Sequence, residues 1–174
     1  MAIISLVLIC LVLIVVAIFL ITSLTGAPYV PTLGKDFDRE IDKLYKFSRK
    51  DLVLDLGAGD GIVLDIVSKR GAKAVGIELN PILATIIRFR FRNNPRVTAV
   101  CKNFYRYQFP DETTVIYAFA VGNHIEPIYR KIKAEATRLG KPLYFISNAF
   151  NIKELKPEKK VWTWYLYKIK PEKN

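Results

Sequence analysis

The stretch Asp55-Leu56-Gly57-Ala58-Gly59-Asp60-Gly61 constrains the fold of this chain more than any other. An apolar run, Asp51 to Leu56, leads into it, and a helical pattern, Ile62 to Arg70, leads out. Glycines at alternate positions let the backbone turn sharply where other residues meet their own Cβ atoms. A second strand pattern, Lys73 to Glu78, follows at once. A strand, a tight turn, a helix and a second strand make a βαβ unit, which forces the two strands to lie parallel with the helix covering one face.

The alternation continues. Pro81 to Arg92 reads as a helix with Pro81 at its first position, where a missing N–H is harmless. Arg96 to Cys101 is predicted as the third strand, Thr113 to Phe119 as the fourth and Pro142 to Ser147 as the fifth. Ile125 to Leu139 is predicted as a helix stopped by Gly140. Ahead of the first strand, Phe37, Ile41, Leu44 and Phe47 recur at helical spacing, so Asp36 to Phe47 reads as an amphipathic helix. Val161 to Ile169 is aromatic and β-branched with no helix before it, and reads as an antiparallel edge strand. The expected fold is α/β and Rossmann-like: a mainly parallel sheet with helices on both faces and an antiparallel C-terminal edge strand.

The turn carries the chemistry. Gly57, Gly59 and Gly61 let a ligand approach the backbone, and the helix behind them presents unpaired N–H groups at its positive end. Glu78 ends the second strand, where a carboxylate accepts hydrogen bonds from ribose hydroxyls. A dinucleotide site shares this layout but requires G-x-G-x-x-G, and Ile62 stands where the third glycine belongs. Asp60 also sets a carboxylate at the helix mouth, which opposes a pyrophosphate and suits a ligand bearing an ammonium group.

No charged side chain precedes Lys35. Ala2 to Ile21 is apolar apart from Ser5, and long enough as a helix to cover a hydrocarbon core of about 30 Å. Residues 1–25 are therefore expected to form one transmembrane helix, 26–50 a linker and the amphipathic helix, and 51–174 the soluble domain. Leu24-Thr25-Gly26-Ala27 leaves a cleaved signal peptide as the alternative. Lys35, Arg39, Lys43, Lys46, Arg49 and Lys50 all lie on the C-terminal side, which places the domain in the cytoplasm.

The formal charge of +11 belongs wholly to the soluble part and favours an anionic surface. Arg88, Arg90, Arg92 and Arg96 alternate with Phe89 and Phe91, a pattern compatible with nucleic acid but read as the basic face of a helix near lipid. Two distant cysteines, Cys10 and Cys101, exclude a disulfide framework. A single histidine, His124, and no ligand-spaced cluster argue against a zinc site, and no metal is expected.

DLVLDLGAGDG (Asp51 to Gly61) and GIELNP (Gly76 to Pro81) resemble the first two motifs of class I S-adenosylmethionine-dependent methyltransferases. The apolar N-terminus, Pro28-Tyr29-Val30-Pro31-Thr32 and the closing Val-Trp segment narrow the resemblance to membrane-anchored protein-lysine methyltransferases. Those of mitochondria modify the ATP synthase c subunit or the adenine nucleotide translocator, and the group has prokaryotic relatives. The resemblance implies S-adenosyl-L-methionine as cofactor, held by Asp55, Gly57, Gly59, Asp60, Gly61, Glu78 and Asn80, with Asn103 and Phe104 flanking the adenine. It implies that Tyr29 and Pro31 roof the donor beside the acceptor channel; an interfacial tyrosine is the other reading of Tyr29. His124 and Glu126 follow the fourth strand on the acceptor side, and His124 is the candidate for proton transfer. The chain departs from the family at Ile62, where an Arg is usual, and at Asn103-Phe104-Tyr105, where Asp-Leu-Trp is usual. The expected partners are the bilayer and a membrane-protein acceptor, with methylation of lysine as the expected reaction. A lipid or small-molecule acceptor, or a non-catalytic donor-binding domain, is the alternative, and nucleic acid is not expected.

Overall fold

A computed structural model describes residues 2–25, 34–119, 125–153 and 155–172. Five α-helices and seven strands follow one another among them: α1 (Ala2–Thr25), α2 (Gly34–Leu44), β1 (Leu52–Leu56), α3 (Ile62–Lys69), β2 (Lys73–Glu78), α4 (Pro81–Arg90), β3 (Val97–Cys101), β4 (Val115–Phe119), α5 (Ile125–Leu139), β5 (Leu143–Asn148), β6 (Lys159–Val161) and β7 (Trp164–Ile169). One turn of 3-10 helix, Phe104–Arg106, follows β3.

The strands form one sheet in the order β3-β2-β1-β4-β5-β7-β6. The first five are parallel, and β7 runs antiparallel to both β5 and β6. The order reverses between β1 and β4, and a crevice opens at the carboxyl ends of the strands at such a point. Strand register explains why β1 and β4 read as continuous apolar runs rather than alternating ones. Val53 and Tyr117 face α2 and α3, while Leu54 and Ile116 face α5, so both faces are buried.

Helices α2, α3 and α4 cover the first face through Phe37, Ile41, Leu44, Leu64, Val67 and Ile87. Helix α5 covers the second through Ile125, Ile128, Ile132 and Ala136, joined by Phe109 from the segment after β3. Helix α2, expected to go with the linker, belongs to this core. Phe37 is fully buried and meets Tyr117 and Trp164 edge-on, at 5.1 and 5.8 Å between ring centroids. Arg70 ties the outer side of α2 to α3, donating from Nε to Asp42 (2.7 Å) and from Nη1 to Asp38 (2.8 Å).

The C-terminus ends the sheet with an antiparallel edge, as expected, but as a hairpin rather than one continuous strand. Val161 to Ile169 breaks at Trp162 and Thr163, a two-residue turn in which Trp162 adopts φ 54°, and the chain folds back as a hairpin. Strand β7 is therefore internal and the short β6 is the edge. The apolar pattern could not register the break because the interrupting residue is itself aromatic. Trp162 is exposed beneath the Arg39 guanidinium (5.5 Å), whereas Trp164 is buried in the core.

Helix α1 leaves its large apolar side chains from Ile3 to Val16, and Leu20, exposed. Among the described residues no helix is long and apolar enough to cross a membrane.

Gly76 in β2 lets Leu64 of α3 and Ala58 of the turn after β1 approach the strand closely. A Cβ there would lie 2.7 Å from Leu64 Cδ1 and 2.8 Å from Ala58 Cβ. Gly76→Val is therefore expected to lower stability by about 1–3 kcal/mol through overpacking, read as a shift in the chemical denaturation midpoint; Val75→Ile, one position away, should shift it much less.

Candidate functional site

The turn after β1 is built from three left-handed glycines: Gly57 (φ 84°), Gly59 (φ 57°) and Gly61 (φ 84°). Residues with a Cβ adopt this region only under strain. Gly57 N donates to Ile77 O at 2.8 Å, extending the ladder to β2 one residue past the strand end. Gly61 N then donates to Ala58 O (2.8 Å), and Gly61 becomes the residue before the first turn of α3. At Gly61 a Cβ would also meet Phe91 Cε2 at 2.9 Å.

Glu78 locks this turn. Its Oε2 accepts from Gly59 N and its Oε1 from Asn80 N, both at 2.8 Å. The carboxylate is buried, yet each oxygen keeps a further lone pair for a ligand hydroxyl. Glu78 thus does two things at once: it orders the glycine turn and presents a fixed acceptor pair. Asn80 is nearly fully buried, and its side-chain oxygen accepts from Ile82 N (2.9 Å) and Leu83 N (3.4 Å). It caps α4 and so fixes the strand end that carries Glu78.

Asp55, at the end of β1, is buried and lies in register with Gly76 on one side and Tyr117 on the other. Burial pushes its pKa well above the ordinary carboxylate range, and the nearby charges of Glu78 and Asp60 push it further. Asp60 is partly exposed at the mouth of the turn, where the Arg90 guanidinium donates to its backbone carbonyl at 3.1 Å. Three carboxylates thus converge on one glycine turn. That arrangement is unfavourable by itself and becomes favourable when a cation enters, which fits a ligand with an ammonium and a sulfonium group.

Asn103 and Phe104 stand just beyond β3, next along the carboxyl edge from Glu78, which pairs in register with Cys101. Asn103 Oδ1 accepts from Tyr105 N at 2.9 Å, starting the 3-10 turn that holds Phe104 against Tyr105. The structure therefore brings Asp55, Gly57, Gly59, Asp60, Gly61 and Glu78 together, with Asn103 and Phe104 at the adjacent strand end. Tyr29, Pro31 and His124 lie outside the described residues. Glu126 lies in the first turn of α5, where its Oε1 accepts from Lys153 N at 3.3 Å.

A second group, at the carboxyl ends of β4 and β5, was not legible in the sequence. Asn148 donates from Nδ2 to Tyr117 Oη (3.3 Å) and accepts at Oδ1 from Thr163 Oγ1 (2.9 Å). Trp164, paired with Asn148 in register, is buried with its indole N–H unpartnered among the described residues. The only sequence signal was a pair of polar residues ending an otherwise apolar strand, Phe145-Ile146-Ser147-Asn148.

Residues 53–143 match the model of a family described as a methyltransferase domain. A protein-lysine N-methyltransferase of Saccharolobus islandicus is 30% identical over 158 residues, covering 82% of this chain and 93% of that protein. A lysine N-methyltransferase of the ATP synthase c subunit, from Xenopus laevis, is 41% identical over 63 residues, covering 36% of this chain. That match spans only 27% of the Xenopus protein's length. Among solved structures, an RNA methyltransferase from Salinibacter ruber, in complex with S-adenosyl-L-homocysteine, superposes with a TM-score of 0.68 at 25% identity. It covers 83% of this chain and 97% of its own.

The raised pKa of Asp55 fixes the sign of a pH effect. The folded protein binds this proton more tightly than the unfolded chain, so stability falls as pH rises from the ordinary value of 3.8 through the folded value. Asp55→Asn removes that loss. Without bound ligand, D55N is expected to melt above the wild type at pH 7 and to lose this advantage near pH 4, measured by thermal denaturation across pH.

Proposed function

The chain belongs to the class I S-adenosyl-L-methionine-dependent methyltransferases, and from that premise we propose that it N-methylates a lysine side chain of a membrane protein. The observation that carries the lysine is the protein-lysine relative from Saccharolobus, aligned over 93% of its length. The bound cofactor supplies an activated methyl group on a sulfonium, so no covalent enzyme intermediate is required. What the chain supplies is placement. Glu78 accepts from the ribose hydroxyls with its two remaining lone pairs, Asp55 and Asp60 meet the ammonium end, and the glycine turn admits the methionine backbone. Asn103 and Phe104 take the adenine edge and face.

A lysine acceptor must arrive neutral, because an ammonium has no lone pair to attack with. Partial burial lowers a lysine pKa and favours that form. Under this reading Tyr29 and Pro31 close over the donor near the acceptor, and His124 is the group that takes the released proton.

Helix α1 is proposed as a single-pass anchor. Its exposed isoleucine, leucine and valine side chains have no favourable surroundings in water, and Ala2–Thr25 carries no charge. The cations from Lys35 to Lys50, all C-terminal to α1, support a cytoplasmic catalytic domain under the positive-inside bias. The acceptor is then a protein of the same membrane.

Two measurements test this. Glu78→Ala is expected to weaken S-adenosyl-L-methionine binding at least tenfold, about 1.4 kcal/mol, by calorimetry, since it removes the ribose acceptors and unlocks the turn. Membranes incubated with the full chain and methyl-labelled donor should yield label on lysine of a protein, lost with E78A. Label confined to lipid or to RNA, or donor binding without turnover on any acceptor, would overturn the lysine assignment.

A further inference from the structure

Residues 79–110 contain six cations, Arg88, Arg90, Arg92, Arg96, Lys102 and Arg106, and no Asp or Glu. The fold collects them at one edge of the sheet, because β3 is the edge strand and α4 packs beside it. Helix α4 buries Leu83, Ala84 and Ile87 against the sheet. Its opposite pole carries Ile82, Ile86 and Phe89 at i, i+4 and i+7 spacing, and Phe89 is 69% exposed. Nothing in the donor site uses these residues.

Arginines flank this apolar pole. Arg92 lies over the Phe89 ring at 4.4 Å, and Arg88 leans toward β3, donating to Ala99 O at 3.2 Å while staying exposed. Arg96 is exposed just before β3. Arg90 is spent elsewhere, on Asp60 and Asp65 at the glycine turn. A helix with an apolar outward ridge bordered by arginines has the form of an interfacial element, its ridge dipping below the headgroups and its cations on phosphate.

We propose that the outer face of α4, with Arg88, Arg92 and Arg96 around Ile86 and Phe89, docks on an anionic lipid surface. Charge complementarity selects an anionic partner, and the protruding Phe89 and Ile86 select one with an apolar interior over a purely polar polyanion. A second feature of the same chain, the exposed apolar side chains of α1, needs the same medium. Surface cations are attracted to a charged leaflet and screened by salt, so the three arginines give a salt-sensitive contact. Because Arg90 bridges α4 to Asp60, docking of this face holds the glycine turn close to the headgroups. The inference rests on the proposed function for the premise of a membrane nearby, which the exposed apolar side chains of α1 support; the acceptor does not enter it.

The test uses the full chain with an environment-sensitive fluorophore on Phe89→Cys in a Cys10→Ser, Cys101→Ser background, and the same label on Lys133→Cys of α5 as reference. Vesicles of phosphatidylcholine alone are compared with vesicles also containing phosphatidylglycerol. The label at position 89 should shift to the blue only with the anionic vesicles, and 0.5 M salt or the triple change R88Q, R92Q and R96Q should abolish the shift. Retained donor binding by the triple variant shows that it is folded. No anionic-lipid dependence at position 89, an equal response at 133, or a response to polyuridylate RNA but not to vesicles overturns the proposal. Flotation with the neutral vesicles reads the α1 anchor separately, so either idea can fail while the other stands.

Discussion

The glycine turn seats on β2 because Gly76 has no side chain, and Ala58 and Leu64 approach its backbone more closely than any Cβ would permit. That approach lets Gly57 N extend the ladder to Ile77 O and brings Gly59 N onto the Glu78 carboxylate. Helix α3 starts where it does because Gly61 turns the chain beneath Phe91. A larger residue at position 76 would move the turn, the helix and the ribose acceptor together.

This close packing concentrates negative charge. Asp55, Asp60 and Glu78 share a small volume, and the pKa of Asp55 is raised first by its burial and then by the charges of Glu78 and Asp60. The protein holds an arrangement that disfavours the ligand-free fold and is relieved by a cationic ligand. Stability given up at a site in return for ligand complementarity is a familiar trade. The far end of β1 shows the contrast. There Asp51 is equally buried but accepts from Tyr45 Oη, Ser48 N, Ser48 Oγ and Thr114 Oγ1, a fully satisfied knot that ties α2 and β4 to the strand's start. One buried aspartate is saturated by hydrogen bonds from the protein, and the other sits buried beside two further carboxylates at the glycine turn.

Much of this was readable from residue order. The helical spacing of Phe37, Ile41 and Leu44, the Pro81 helix start and the glycine turn each report a local rule, and local rules survive into the fold. The donor-site acids were readable because a carboxylate at a strand end beside a glycine turn has few other uses. Gly76 was not singled out, since its need arises from Leu64 and Ala58, brought near only by the crossover. In the motif Asn80 reads as a ligand contact; in the fold its side-chain oxygen also caps α4, a use the motif does not reveal. The hairpin at Trp162 stayed hidden because its turn residues, Trp and Thr, are strand formers by composition.

Residue order alone set the class of fold, the donor and the position of the turn that binds it, because these follow from periodicity, glycine spacing and charge within about 25 neighbouring residues. Tertiary structure decided that α2 belongs to the core, that β7 lies inside β6, and that Tyr117, Asn148, Thr163 and Trp164 meet at one strand edge. It also gathered six cations and an apolar ridge at the β3 edge. Those arrangements depend on which strands become neighbours, and that is settled by the burial of both sheet faces at once rather than by any segment's own preference.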